Sequence, residues 1–180
     1  GVPVKWVSDR TESFLTDAHG RDHVTKIELG CTKDGEILAI RTETLANVGA
    51  YLSNFSTATP TFLHGTLMSG PYKVPHVYVN VKTVFTNTAP VDAYRGAGRP
   101  EATYSLERVI DKMCRELGLD PFEVRKKNLL TPDQFPYQSP VGLLYDTGNY
   151  QATLDKAMAM ADVSGFAKRA AESKARGKLR

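Results

Sequence analysis

Apolar positions recur every two residues through the first half of the chain and every three to four through the second. In residues 24–32 (VTKIELGCT), Thr25, Ile27, Leu29 and Cys31 alternate with Lys26, Glu28 and Gly30. KDGE at 33–36 then signals a turn, and 37–46 (ILAIRTETLA) resumes the extended pattern, which predicts a β-hairpin. A third strand is predicted over 76–86, with Val77, Val79, Val81 and Phe85 on one face and Tyr78, Asn80 and Lys82 on the other. The stretch between is rich in Gly, Ser, Thr and Pro. It also carries Tyr51, Phe55, Phe62, Leu63 and Met68, side chains that solvated linkers seldom hold, so a covering surface is expected.

From Pro100, a tolerated first helical residue, the apolar stripe runs Ala102, Leu106, Val109, Ile110, Met113, Cys114 and Leu117, and Gly118 ends it. Asp120 as N-cap, Pro121 at N1 and Glu123 at N3 predict a second helix through about Asn128. A third is expected over Tyr150 to Met160 with Leu154, Ala157, Met158 and Ala161 on one side, Met158 and Met160 filling core. A last helix is expected from about Val163. Residues 129–148 have three prolines and no period; such a long loop is functional or packs on a neighbour, and it reads as an extended arm over further protein. The class is therefore α+β: sheet over about 1–90, a loop at 90–99, helices over 100–165, and a basic helix end and linker at 166–180.

Composition narrows the classes little: 180 residues, 41% hydrophobic, net charge +3. Cys31 and Cys114 are far apart and lack CxxC spacing, so neither a disulfide framework nor a zinc or iron–sulfur site is implied. No apolar run has the length of a membrane span and no signal-peptide pattern opens the chain, which makes the cytoplasm the expected compartment. GVPVKW at the start lacks an initiator methionine, so an internal piece of a longer polypeptide is expected. Residues 166–180 carry six Lys/Arg against one Glu, but without interleaved aromatics or a reading motif they are expected to be a solvated helix end, not a nucleic-acid tail.

The stretch with the most chemistry is PVDAYRGAGRPEA, residues 90–102. A strand, a G-x-G loop and a helix occur in the order of a phosphate cradle, and Arg95 and Arg99 add bidentate donors. The dinucleotide fingerprint, however, needs a third glycine where Glu101 stands, and the Walker loop's Lys-Ser/Thr is absent. A turn that merely needs glycine for positive φ, with solvated arginines, is the plainer alternative.

The run TVFTNTAPVDAYRGAGRPEATYSLERVIDKMCRELGLDPFEVRKKNLL resembles the molybdenum-cofactor-binding large subunit of the xanthine dehydrogenase, aldehyde oxidoreductase and carbon monoxide dehydrogenase family. The matching elements are TN-x-x-P, A-Y-R-G-x-G, the P-E helix opening, E-R-x-I-D and G-L-D-P-x-E-x-R-x-K-N. PVKWVSDRTESF, DGEILAI, NVGAY and KARGKLR fall in register too. This resemblance implies an α+β partial domain of a larger molybdopterin-binding subunit. It also implies hydroxylation of an electrophilic carbon with oxygen from water, and iron–sulfur clusters and FAD on partner subunits or domains. By the same resemblance Arg95, Gly96, Ala97 and Gly98 face the cofactor, with the Arg95 main chain near the metal and its side chain not a ligand. Tyr94, Ala97 and Arg99 line the pocket of a small-molecule substrate. Arg99 is either a second anion-facing donor or a surface charge beside the helix cap. The family's glutamate base lies outside these residues, so no catalytic residue is assigned, and the piece alone is expected to be inactive.

Two departures bear on the substrate. Copper-dependent carbon monoxide dehydrogenases carry a cysteine directly after the arginine, where Gly96 stands here, which disfavours copper–molybdenum chemistry. Xanthine-oxidising members stack a phenylalanine on the substrate where Ala97 stands, which disfavours a purine and leaves an aldehyde or an N-heterocycle. The alternative functions are a subunit-interaction module and, on weaker grounds, a nucleotide-binding domain. Elsewhere, His19 and His23 are expected to be a surface pair, His64 and His76 ordinary hydrogen-bonded histidines, and Glu101 and Glu107 structural. Tyr51 and residues 59–68 either line the crevice or pack.

Overall fold

The computed structural model describes residues 1–179. β1 (His23–Cys31) and β2 (Ile37–Gly49) form the predicted antiparallel hairpin, with Leu29 opposite Ile40 and Thr25 opposite Thr44. β3 (His76–Phe85) pairs with β2 in parallel, Ile40 beside Val77 and Thr44 beside Val81, so β2 is the central strand of a three-stranded sheet. A parallel pair needs a long crossover, and the polar-aromatic stretch between β2 and β3 supplies it. Central position shows in the burial of β2: Ile40, Thr42, Thr44, Ala46 and Val48 are buried while Arg41, Glu43 and Leu45 are exposed.

Sheet does not fill the first 90 residues. α1 (Arg10–Thr16) opens on a capping box in which Asp9 Oδ1 accepts from the Glu12 amide (2.8 Å) and Glu12 Oε2 from the Asp9 amide (3.0 Å). The crossover contains a π-helical turn, Thr59–Leu63. It also supplies Met68, Tyr72 and Val74 to the core.

α2 (Arg99–Leu117) lays Ala102, Leu106, Ile110, Met113 and Cys114 on the sheet, against Ile37 and Ile40. Burying side chains such as Leu106 and Ile110 stabilises by about 1.5–3 kcal/mol each. The stripe is narrower than the sequence pattern, since Leu117 is exposed. α3 (Pro121–Asn128) begins as predicted: Asp120 Oδ1 accepts from the amides of Phe122 (2.7 Å) and Glu123 (3.0 Å). At its far end buried Asn128 accepts from the Ile37 amide (2.8 Å) and donates to Gly35 O (2.9 Å), locking α3 to the hairpin. A charged cluster fastens α2 to α3: Arg125 donates to Glu107 (2.9 Å) and Asp111 (2.9 Å), and the Tyr72 hydroxyl donates to Glu107 (2.9 Å). Glu107 is structural, as expected.

The arm at 129–148 is more built than its sequence implied. Leu129 and Leu130 are buried, Pro132–Gln134 form a 3-10 turn, and β4 (Tyr137–Gln138) pairs with β5 (Leu144–Tyr145). Tyr145 Oη donates to Gly70 O (2.9 Å), so part of the arm is anchored on this domain itself. α4 (Tyr150–Met160) has the predicted bounds but no buried residue; Met160 is 80% exposed and is not core filler. α5 (Phe166–Ala175) starts three residues beyond the expected Val163. The whole is α+β.

Candidate functional site

The loop before α2 is shaped by three consecutive residues with positive φ: Gly96 (94°), Ala97 (41°) and Gly98 (88°). Two are glycine because nothing else fits. A Cβ at Gly96 would meet Pro100 Cγ at 2.6 Å, and one at Gly98 would meet Thr59 O at 2.5 Å. Ala97 is held in a conformation that costs a non-glycine residue about 1 kcal/mol or more, a strain typical of functional loops. Within the turn the Ala97 amide donates to Tyr94 O (2.7 Å) and the Arg99 amide to Gly96 O (3.0 Å). Among the described residues none accepts from the amides of Arg95 or Gly96. Successive backbone donors in such a curl form a concave, electropositive nest.

Tyr94, Arg95 and Arg99 are exposed, Gly96 and Ala97 half-buried, and Gly98 buried. The expected cofactor-facing and pocket residues therefore share one surface-accessible turn. Arg99 Nη1 reaches back toward Gly96 O at 3.5 Å, and the Tyr94 ring lies open. Tyr51, Phe55 and Phe62 are also exposed, while Met68 from the same crossover is fully buried.

Behind the loop stands a residue the sequence reading passed over. Arg21 donates through Nη2 to Arg95 O, lies over the Tyr94 ring with its guanidinium carbon 4.6 Å from the centroid, and places Nε 3.7 Å from Glu101 Oε1. Its own φ is 61°. The neighbouring chain is tied to the loop stem, since the His19 amide donates to Pro90 O and the Asp92 amide to His19 O, both at 2.8 Å. No periodicity marks HGRDH, and only its distant backbone pairing reveals the role.

The expectation of a surface histidine pair is corrected: His19 is exposed, but His23 is half-buried and packs edge-on against His64, ring centroids 5.1 Å apart. His64 is fully buried; its Nε2 lies 3.5 Å from Thr44 Oγ1 and its Nδ1 makes no well-formed hydrogen bond, so it is only weakly satisfied. Burial lowers its pKa to about 4, the His23 charge adding to this and the adjacent Gly98 backbone opposing it. Burial also lowers the His23 pKa, against the pull of Glu101 and Asp22. Glu101, with its side chain 10% exposed, keeps Oε2 without a partner. Together Arg21, His23 and Glu101 line an open groove of about 430 Å³ beside Tyr104. Among the described residues no set of three His, Cys, Asp or Glu could hold a metal ion. No helix there is long and apolar enough to cross a membrane.

This turn presents free amides, two glycines where a Cβ would clash, and flanking arginines. Those features fit an anionic, oxygen-rich group held by backbone donors. They suit a nucleotide fingerprint less well, because Glu101 occupies the third-glycine position with a carboxylate.

The chain belongs to the molybdopterin cofactor-binding domain family, whose pattern matches residues 1–129. It is 41% identical to the carbon monoxide dehydrogenase large chain of Afipia carboxidovorans, over 98% of this chain and 22% of that one. It is 31% identical to the nicotine 6-hydroxylase large subunit of Paenarthrobacter nicotinovorans, over 98% of this chain and 22% of that one. The fold superposes on the crystal structure of quinoline 2-oxidoreductase from Pseudomonas putida 86 with a TM-score of 0.88 and 33% identity, covering 96% of this chain and 22% of that one. The chain thus spans about a fifth of the length of the relatives it matches.

Proposed function

We propose that this chain is the cofactor-facing segment of a molybdenum hydroxylase large subunit, with Arg95, Gly96, Ala97 and Gly98 forming one wall of the cofactor site. When bound, the cofactor supplies two-electron oxidation of carbon with oxygen drawn from water. The protein's part on this side is electrostatic. The amides of Arg95 and Gly96 would donate to the cofactor's anionic edge, and Gly96 and Gly98 permit the tight turn that presents them, since a Cβ at either would clash with Pro100 or with the backbone of Thr59 and His64. Arg95 contributes its main chain, and Arg99 a positive charge at the rim. One observation carries this reading: three consecutive positive-φ residues that leave two neighbouring amides unspent.

The substrate is a non-purine N-heterocycle, or else an aldehyde, in preference to carbon monoxide or a purine. Gly96 offers no thiolate for copper, and Ala97 offers no ring to stack and only a small pocket wall. Two of the relatives above are named for N-heterocycles, quinoline and nicotine. Iron–sulfur and flavin subunits or domains complete the electron path, and the segment alone is inactive because it lacks the base and most of the cofactor cage. The test is to purify the full-length subunit with its partners, measure molybdenum, and follow oxidation of quinoline-type heterocycles and aromatic aldehydes by a dye acceptor in ¹⁸O-labelled water. About one molybdenum per subunit and labelled product are expected. Folded, active-site-intact protein without molybdenum overturns the reading.

A further inference from the structure

Resting on that reading, we propose that Arg21 is a positioning residue that aims the Gly96 amide at the cofactor by holding the other end of the same peptide group. A trans peptide is planar, so its C=O and N–H point in opposite directions. The 95–96 peptide is trans, and Arg21 Nη2 fixes its carbonyl from behind the loop. The Gly96 N–H is thereby turned to the opposite, outer side, where no described residue accepts from it. With φ at 94° on Gly96, the peptide has no regular secondary structure to hold its orientation. The guanidinium supplies that hold.

Four further features make Arg21 a clamp and not a chance contact. It stacks on Tyr94, the residue before the peptide it grips, and faces the largely buried Glu101 carboxylate in the first turn of α2. One planar group therefore spans the loop from entry to exit, which a lysine's point charge cannot do. The chain accepts a positive φ at Arg21 itself to present this side chain, and strain of that kind persists where the surroundings demand it. Gly20 allows the approach, since a Cβ there would meet Tyr94 Cβ at 2.4 Å.

The test uses the full-length subunit with its partners and cofactor, as Arg21→Ala, Arg21→Gln and Arg21→Lys. Amide exchange is read in peptides spanning 94–99, alongside molybdenum content, the Mo(V) paramagnetic resonance signal and steady-state kinetics. In Arg21→Ala the Ala97 and Arg99 amides should exchange faster and the Mo(V) signal should change at unaltered molybdenum content. The turnover number should fall by about 100-fold with KM little moved. Free guanidinium should restore part of the loss and ammonium should not, and Arg21→Lys should fall between. Wild-type exchange at 94–99 together with a wild-type Mo(V) signal in Arg21→Ala overturns the proposal. Should Arg21→Ala not fold, the same readings on Arg21→Gln and Arg21→Lys decide it. If the wild-type protein holds no molybdenum the proposed function fails, and the exchange comparison still judges the clamp.

Discussion

Gly98 sits so close to His64 that a methyl group on its Cα would stand 2.7 Å from the His64 backbone nitrogen. The other near atoms, Thr59 O and Leu63 C, are main chain too, so none can swing aside. The turn before α2 is therefore seated on the crossover between β2 and β3.

Gly98→Ala should destabilise by about 3 kcal/mol, combining a positive-φ penalty with overpacking. Gly118→Ala isolates the first contribution, since φ is 67° there with nothing within 4 Å, and should cost only about 1 kcal/mol. Urea unfolding of the two variants checks the difference. Equal losses would mean the turn is not seated on backbone.

Stability should fall as pH drops from 6.5 toward 4. His64 stays neutral in the folded state to about pH 4, while the unfolded chain takes up the proton near 6.5. Between those values the unfolded state binds more protons, so its share grows as pH falls, and the full effect is about 3 kcal/mol. His23 acts in the same direction. Thermal midpoints across this range should flatten in His64→Gln, and an unchanged slope would refute the assignment.

Arg125→Ala should cost about 1.5–3 kcal/mol, because Glu107 and Asp111, 32% and 36% exposed, would lose their shared cation while staying partly solvated. Arg125→Lys should recover little of it, since one ammonium cannot replace the fork that reaches both carboxylates. Denaturant midpoints measure both.

Asn128→Ala should cost about 2–3 kcal/mol by stranding the Ile37 amide and Gly35 carbonyl in the interior. Asn128→Asp should lie close to it, as a carboxylate accepts from Ile37 but cannot donate to Gly35. A much milder Asn128→Ala would place the α3–hairpin lock elsewhere.

What could be read from the sequence was local. The Asp120-Pro121 start of α3, the bounds of α4 and the β1–β2 hairpin follow from caps and periods within a dozen residues. α1 is equally legible in the capping-box spacing of Asp9 and Glu12, though it precedes the two-residue rhythm that marks the sheet. The parallel placement of β3 is set by packing across the crossover, which no short window reports. At the candidate site, the residue types of the turn stood out through Arg95, Gly96, Gly98 and Arg99. Arg21, 74 residues from the carbonyl it grips, and the His23–His64 pair have no sequence rhythm at all.

Because β2 and β3 run the same way, the 26 residues from Ala50 to Pro75 must close before β3 can pair with β2. That crossover carries the ledge at 59–64 on which Gly98 rests. The ledge therefore matures late in folding, and the turn that rests on it takes its final shape only in a nearly finished fold. Pulse-labelling during refolding should find the 59–64 amides protected no sooner than those of β3.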